Sequence, residues 1–476
     1  MKILYIHFRI ISIFSLLMLM MQLTACGGGN NTTSTSSTFP VVVFSDVHFN
    51  PFYDTDPALF QQLVAKDPSE WASVFQTSSI TAPSVWGSDT NYPALVLALS
   101  SIRQNLGESQ LVIFTGDILG HNFPETFFRL YGSPAEPGPE DIAAMESFTD
   151  KTVEFFMDQV RSSIGNRPVM FALGNSDSYI GAVPEPGFLS HTAELFYTKF
   201  LNGTADQQEF LATFTKGGYY SSEPPGTNLM VIGLNTVMFV PFLKDVEKSA
   251  VDDELAWLDS KLAAAKASGK KVWLLMHVPP GADKYATAGN ADSNGHITAA
   301  TMMWEPGYQA NFLTTISHYP GIITLTLAAH THMDEYRIYS PGNVVQITPS
   351  ITPYFGNNPA FKVITFNQDS LKPIDFSMQN YDLAATPLQF NSYYTFSTAY
   401  SLQGLLNDSF SLLYPALASS NVKQALYRGH YFSGHNYSIP NPNTFNPITD
   451  TNWPVYWCGI GNMGEQELIH CVNTYK

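Results

Sequence analysis

The chain is poor in positive charge and in cysteine. Lys and Arg number 23 against 40 Asp and Glu, for a formal net charge of −17. General nucleic-acid binding needs a basic footprint, so the balance argues against that class. The same excess would repel a polyanionic substrate unless something local and positive offsets it. A metal cluster would do so, because a bound cation is often the largest charge in a site. No internal repeat is visible. What is present is apolar material. At 45% hydrophobic over 476 residues the chain can bury a sizeable core, as one large domain or two ordinary ones.

Before Cys26 the only charged residues are Lys2 and Arg9. "IISIFSLLMLMMQL" (10–23) is an apolar run of signal-peptide length, short for a membrane span. It ends in "LTAC", which resembles a bacterial lipoprotein box with Cys26 as the lipidated residue. "GGGNNTTSTSST" follows, the composition of a flexible tether. The expectation is a signal peptide over 1–25, a linker over 26–38, and an exported protein held to a membrane or cell surface by an N-terminal lipid. Only Cys458 and Cys471 remain besides Cys26, and two cysteines close together in an oxidising compartment are expected to pair.

"FPVVVFSD", "QLVIFTGD", "RPVMFALGN", "NLMVIGLN", "KKVWLLMH" and "GIITLTLAAH" read as six buried strands. Helical patterns such as "YPALVLALSSIRQNL" and "VDDELAWLDSKLAAAKAS" lie between them. Alternation of this kind predicts an α/β fold. "NVVQITPSITPY" and "AFKVITF" add late strands. After about residue 375 the texture changes. The reading is a catalytic domain over 39–375 and a smaller, mainly helical subdomain over 376–476.

Almost every strand stops at a polar residue. Asp46 and His48 follow the first, Asp117 the second, Asn175 the third, His277 the fifth, and His330 and His332 the sixth. Sites in open α/β sheets form beyond the carboxyl ends of strands, so these residues are expected to converge. Two carboxylates, an amide oxygen and four imidazoles suit divalent zinc, manganese or iron. No cysteine takes part, which argues against a closed structural zinc site. Seven ligands are too many for one tetrahedral ion and suit two ions sharing one carboxylate. Two ions roughly 3.5–4 Å apart are a device of phosphoryl transfer. Asn235, ending the fourth strand, is read as positional.

The order and spelling of "SDVH", "GDILGHN", "GNSD", "MHVPPG" and "AHTH" resemble the motifs of the calcineurin-like metallophosphoesterases. His121 four residues after Asp117, "HVPPG", and "HTHMDEY" followed by "PSITPYFGNNPAFKV" resemble acid sphingomyelinase and its phosphodiesterase-like relatives. The resemblance implies a sandwich of two β-sheets flanked by helices. It implies Asp46, His48, Asp117 and His332 around one ion, and Asp117, Asn175, His277 and His330 around the other. The family usually places a histidine after the asparagine, where this chain has Ser176, and that histidine often protonates the leaving group. His121 then becomes the expected general acid, with positioning of a metal ligand as its alternative role.

The reading is an exported, two-metal phosphodiesterase acting on a small phosphodiester or phosphoanhydride, a nucleotide or a phospholipid head group. Zinc is the expected metal, with manganese or iron open, and no nucleic-acid polymer is expected as partner. A polyphosphatase or phosphomonoesterase on the same fold is the alternative within enzymes, since fold does not choose substrate. A surface binding protein with a degenerate site is the alternative outside them.

Overall fold

Twelve strands form two six-stranded sheets in a computed structural model that describes residues 37–242, 245–435 and 446–475. The expected signal peptide, the expected lipidation site Cys26 and nearly all of the expected tether lie outside the described residues. The first sheet contains β1 (Thr38–Phe44), β2 (Val112–Phe114), β3 (Val169–Phe171), β10 (Ala360–Asn367), β11 (Pro373–Tyr381) and β12 (Phe390–Thr395). Its order is β12-β11-β10-β1-β2-β3. The second contains β4 (Tyr220–Ser222), β5 (Leu229–Gly233), β6 (Lys271–Leu275), β7 (Ile323–Ala328), β8 (Glu335–Ser340) and β9 (Asn343–Ile347). Its order is β4-β5-β6-β7-β9-β8. Strands β1, β2 and β3 run parallel, as do β5, β6, β7 and β9.

The central parallel strands β1–β3 and β5–β7 are mainly apolar because both faces are covered. In the second sheet, Val231, Trp273, Leu275, Leu325 and Leu327 join the core shared with β1–β3. Their alternating neighbours Met230, Ile232, Val272 and Leu274 join a second core under the helices Asp245–Ser268 and Pro306–Ser317. That is the period-two division of a strand between two faces. Across the sandwich the rings of Trp273 and Phe366 lie 4.4 Å apart, and Tyr220 donates to the Phe171 carbonyl at 2.9 Å. The two sheets therefore bring their carboxyl ends together at one edge of a shared core.

Two readings are corrected. The boundary at residue 375 falls inside β11, which pairs with both β10 and β12. The first sheet thus runs to Thr395, and the helical part follows it from Phe396. The change of texture was real, but it marked an antiparallel meander with a polar outer strand rather than the end of the sheet. Strand β8 was missed, because its polar and charged residues hide an alternation that only pairing with β9 reveals.

Asn235 is positional, as expected. Its N–H donates to the buried Glu254 at 2.7 Å and its side chain to the Gly217 carbonyl at 2.9 Å.

Cys458 and Cys471 form a disulfide between the helices Trp453–Gly461 and Glu465–Thr474. Closing a loop of this length restricts the unfolded chain by about 3 kcal/mol. Replacing both cysteines by serine is expected to lower the unfolding free energy by about that amount. Thermal unfolding of the oxidised protein against the double variant checks it, and equal midpoints would refute it.

Candidate metal centre

Five of the residues that end strands have left-handed backbones: Asp46 (φ 45°), His48 (φ 44°), Asp117 (φ 63°), His330 (φ 72°) and His332 (φ 65°). Each costs a non-glycine residue roughly 1–2 kcal/mol. Strain of this kind persists where surrounding contacts over-determine it, and it gathers at functional sites. Here the contacts are backbone bonds that continue past the strand ends. Asp46 N–H donates to Gly116 O at 2.9 Å, His48 N–H to Asp117 O at 3.0 Å, and Thr352 N–H to Asp46 O at 3.0 Å.

Two glycines are required by close approach. A Cβ on Gly174 would lie 2.1 Å from Asp117 Oδ1. One on Gly116 (φ 102°) would lie 2.6 Å from Gly174 N and 2.9 Å from His277 Nδ1. The Gly-Asp and Gly-Asn pairs therefore let three strand ends meet nearly backbone to backbone.

The side chains converge as the sequence predicts. Asp46, His48, Asp117 and His332 each place one donor atom within 4.8 Å of the others, and so do Asp117, His277 and His330. Asn175 joins the second group, with Oδ1 3.2 Å from His277 Nε2 and 2.9 Å from His330 Nδ1. Asp117 belongs to both groups. Its Oδ2 lies 3.2 Å from His48 Nε2 and 3.2 Å from His277 Nε2, while its Oδ1 accepts from Ser176 N–H at 2.8 Å. All seven are buried except Asn175 and His330, which are half-buried against the cleft.

The donor set fits cations. His48 Nδ1 faces the Leu119 carbonyl at 2.9 Å and His277 Nδ1 the Thr115 carbonyl at 2.7 Å. Those acceptors fix the Nδ1–H tautomer, as partners of metal-ligating histidines do. Each Nε2 then directs a lone pair at a carboxylate oxygen. That contact is repulsive unless a proton or a cation lies between. His48 Nε2 and His332 Nε2 also face each other at 3.2 Å, and Asp46 Oδ2 is buried without a hydrogen-bond partner.

The electrostatics of the cluster make the same demand for positive charge. Burial opposes protonation, but the Asp117 charge outweighs it and pushes His48 and His277 up to about 9. Burial also opposes ionisation of Asp117, yet His277 and His48 hold it well below the usual carboxylate range. Asp46 is pushed up to about 7 by burial. Burial and the neighbouring His277 take His330 down to about 3.

His121 stands beside the cluster. Its ring stacks between those of His48 and Tyr354, with centroids 4.0 Å away on each side. Asp89 grips it twice, Oδ1 at 2.7 Å from Nδ1 and Oδ2 at 2.8 Å from the backbone N. Burial and the adjacent His48 lower its pKa. His48, His121 and His332 also satisfy the donor spacing of a metal group. Asp89 and Tyr354 were not anticipated. Asp89 sits in "GSDTNYP", where turn composition is the only local signal, and its partner is 32 residues away.

The family model for calcineurin-like phosphoesterase matches residues 39–334, a span holding all seven converging residues. The chain belongs to this family. It is a metal-dependent phosphoester hydrolase, with a buried His/Asp cluster suited to a dinuclear divalent centre. Cyclic GMP-AMP phosphodiesterase SMPDL3A of Rattus norvegicus is 23% identical over 417 residues, covering 82% of each chain. Sphingomyelinase phosphodiesterase D of Dictyostelium discoideum is 25% identical, over 71% of this chain and 72% of its own. Sphingomyelin phosphodiesterase of Homo sapiens is 24% identical, over 68% of this chain and 47% of its own. A solved dimetal phosphatase from Danio rerio gives a TM-score of 0.40 at 13% identity, over 72% of this chain and 95% of its own, too loose a likeness to inform the site.

Proposed function

We propose that the chain is an exported, lipid-anchored phosphodiesterase acting on a small phosphodiester or phosphoanhydride, a nucleotide or a phospholipid head group. The observation that carries the dinuclear part is Asp117 Oδ2, placed 3.2 Å from one imidazole of each group. Asp46, His48, Asp117 and His332 would hold one ion, and Asp117, Asn175, His277 and His330 the other. Hard and borderline donors without sulfur favour zinc, with manganese or iron also suited. Such a pair, when bound, would supply an activated water and neutralise charge on the phosphoryl oxygens.

The chain's own residues do the rest. Asn175 and His330 line the cleft and would border a bound phosphoryl group. His121, oriented by Asp89, protonates the leaving oxygen. The acidic surface keeps polyanions away, so a small substrate that reaches the cations is favoured. The names of two relatives, a cyclic GMP-AMP phosphodiesterase and a sphingomyelin phosphodiesterase, support the phosphodiester class.

The test is turnover by the purified protein of bis-p-nitrophenyl phosphate against p-nitrophenyl phosphate, with added Zn²⁺ or Mn²⁺. Preference for the diester is expected. Turnover of the monoester alone would make it a phosphomonoesterase, and no turnover a binding protein. A panel of sphingomyelin, nucleoside triphosphates, dinucleotides and polyphosphate then sorts the substrate.

Anchoring has its own test. Cys26→Ser is expected to abolish lipidation and membrane partitioning while leaving catalysis by the domain from Phe39 onward intact. Unchanged partitioning would sink the lipoprotein reading.

A further inference from the structure

Asp177 ends "GNSD" and has no place among the proposed ligands. It is fully buried, and among the described residues it has no ion-pair partner. Burying a carboxylate is costly unless hydrogen bonds offset it. Both of its oxygens accept from backbone. Oδ2 takes Asp117 N–H at 3.1 Å and Gly174 N–H at 2.8 Å, and Oδ1 takes Ile118 N–H at 2.7 Å. In return Ser176 N–H donates to Asp117 Oδ1 at 2.8 Å. The loop after β2, carrying Asp117, and the loop after β3, carrying Asn175, are therefore stapled together in both directions. The staple sits where Asp117 holds its left-handed backbone (φ 63°), and where a Cβ on Gly174 would overlap the Asp117 carboxylate.

We propose that Asp177 is a positioning residue that holds the shared carboxylate of Asp117 and thereby sets the affinity of both metal sites at once. This rests on the dinuclear reading above. A carboxylate is needed because three donors point at it. In Asp177→Asn, either orientation of the amide turns its NH2 toward at least one backbone N–H, with size unchanged.

The experiment is calorimetric titration of the metal-stripped full chain with Zn²⁺. Asp177→Asn is expected to weaken both ions by about 10–100-fold, with turnover recovering at saturating metal. Glu254→Ala is the control. It deletes another buried carboxylate that accepts a backbone N–H, at the end of β5, where no proposed ligand stands. It is expected to lower the unfolding temperature and leave metal affinity unchanged. If Asp177→Asn does not fold, Asp177→Glu keeps the charge, shifts the acceptors by one methylene, and is still expected to weaken both ions. Wild-type affinity in the Asp177 variants, loss at one site only, or equal weakening in Glu254→Ala would overturn the proposal. A wild-type chain that binds fewer than two ions would instead overturn the dinuclear reading itself.

Discussion

Asp117→Asn is expected to lose both ions together and to lower turnover by at least about 10³-fold. Two ions stabilise the transferring phosphoryl charge by several kcal/mol, and each 1.36 kcal/mol is tenfold in rate. The substitution strikes both groups because one oxygen, Oδ2, lies 3.2 Å from His48 Nε2 and from His277 Nε2. Asparagine offers one neutral oxygen in place of two charged ones. If that oxygen keeps the Ser176 N–H, the NH2 faces both imidazoles. If it turns toward them, the NH2 opposes the Ser176 donor. His332→Ala is expected to empty chiefly one site, since its Nε2 neighbours are His48 at 3.2 Å and Asp46 at 3.5 Å, both of one group. Metal content per chain, measured alongside turnover, separates the two variants. Two ions and full activity in Asp117→Asn would remove Asp117 from the bridging position.

His121→Ala is expected to cut turnover of substrates with alkoxide leaving groups by about 10² or more, the usual scale of a general acid. Substrates that release p-nitrophenolate need little protonation and should lose far less. Metal content should be unchanged. The geometry supports this division. Ser176 replaces the family's usual donor, and Asp177 commits its oxygens to backbone amides. His121 remains half-buried at the cleft, its plane held between His48 and Tyr354 and its rotation by Asp89. Burial and His48 lower its pKa, which makes the protonated ring a stronger acid and at the same time a smaller fraction of the chain near neutral pH. Equal losses for both leaving groups would place His121 in a supporting role. Loss of metal would make it a ligand with His48 and His332, whose donor atoms it approaches.

The sequence by itself determined the candidate ligands and the strands that carry them. An apolar run ended by Asp, Asn or His is a local pattern, and a parallel strand buried on both faces must be continuously apolar. The pairing of Cys458 with Cys471 was legible because two nearby cysteines had no other partner besides Cys26. Tertiary structure decided everything that depends on one loop meeting another. Asp89 reaches His121 across 32 residues, and Asp177 reaches the amides of Asp117 and Ile118 across 60 and 59. Asp89 carries no local signal beyond turn composition, and Asp177, though inside "GNSD", carries none of its role, since a residue that bonds a distant backbone amide looks in sequence like any loop aspartate. Strand β8, the edge strand β12 and its neighbour β11 were likewise obscure, because their polar residues become strand only through a neighbour's ladder. The left-handed backbones at five ligand positions are the clearest case. Asp and His enter that conformation more readily than most non-glycine residues but still at a cost, and hydrogen bonds with the ends of neighbouring strands hold Asp46, His48 and His332 in it.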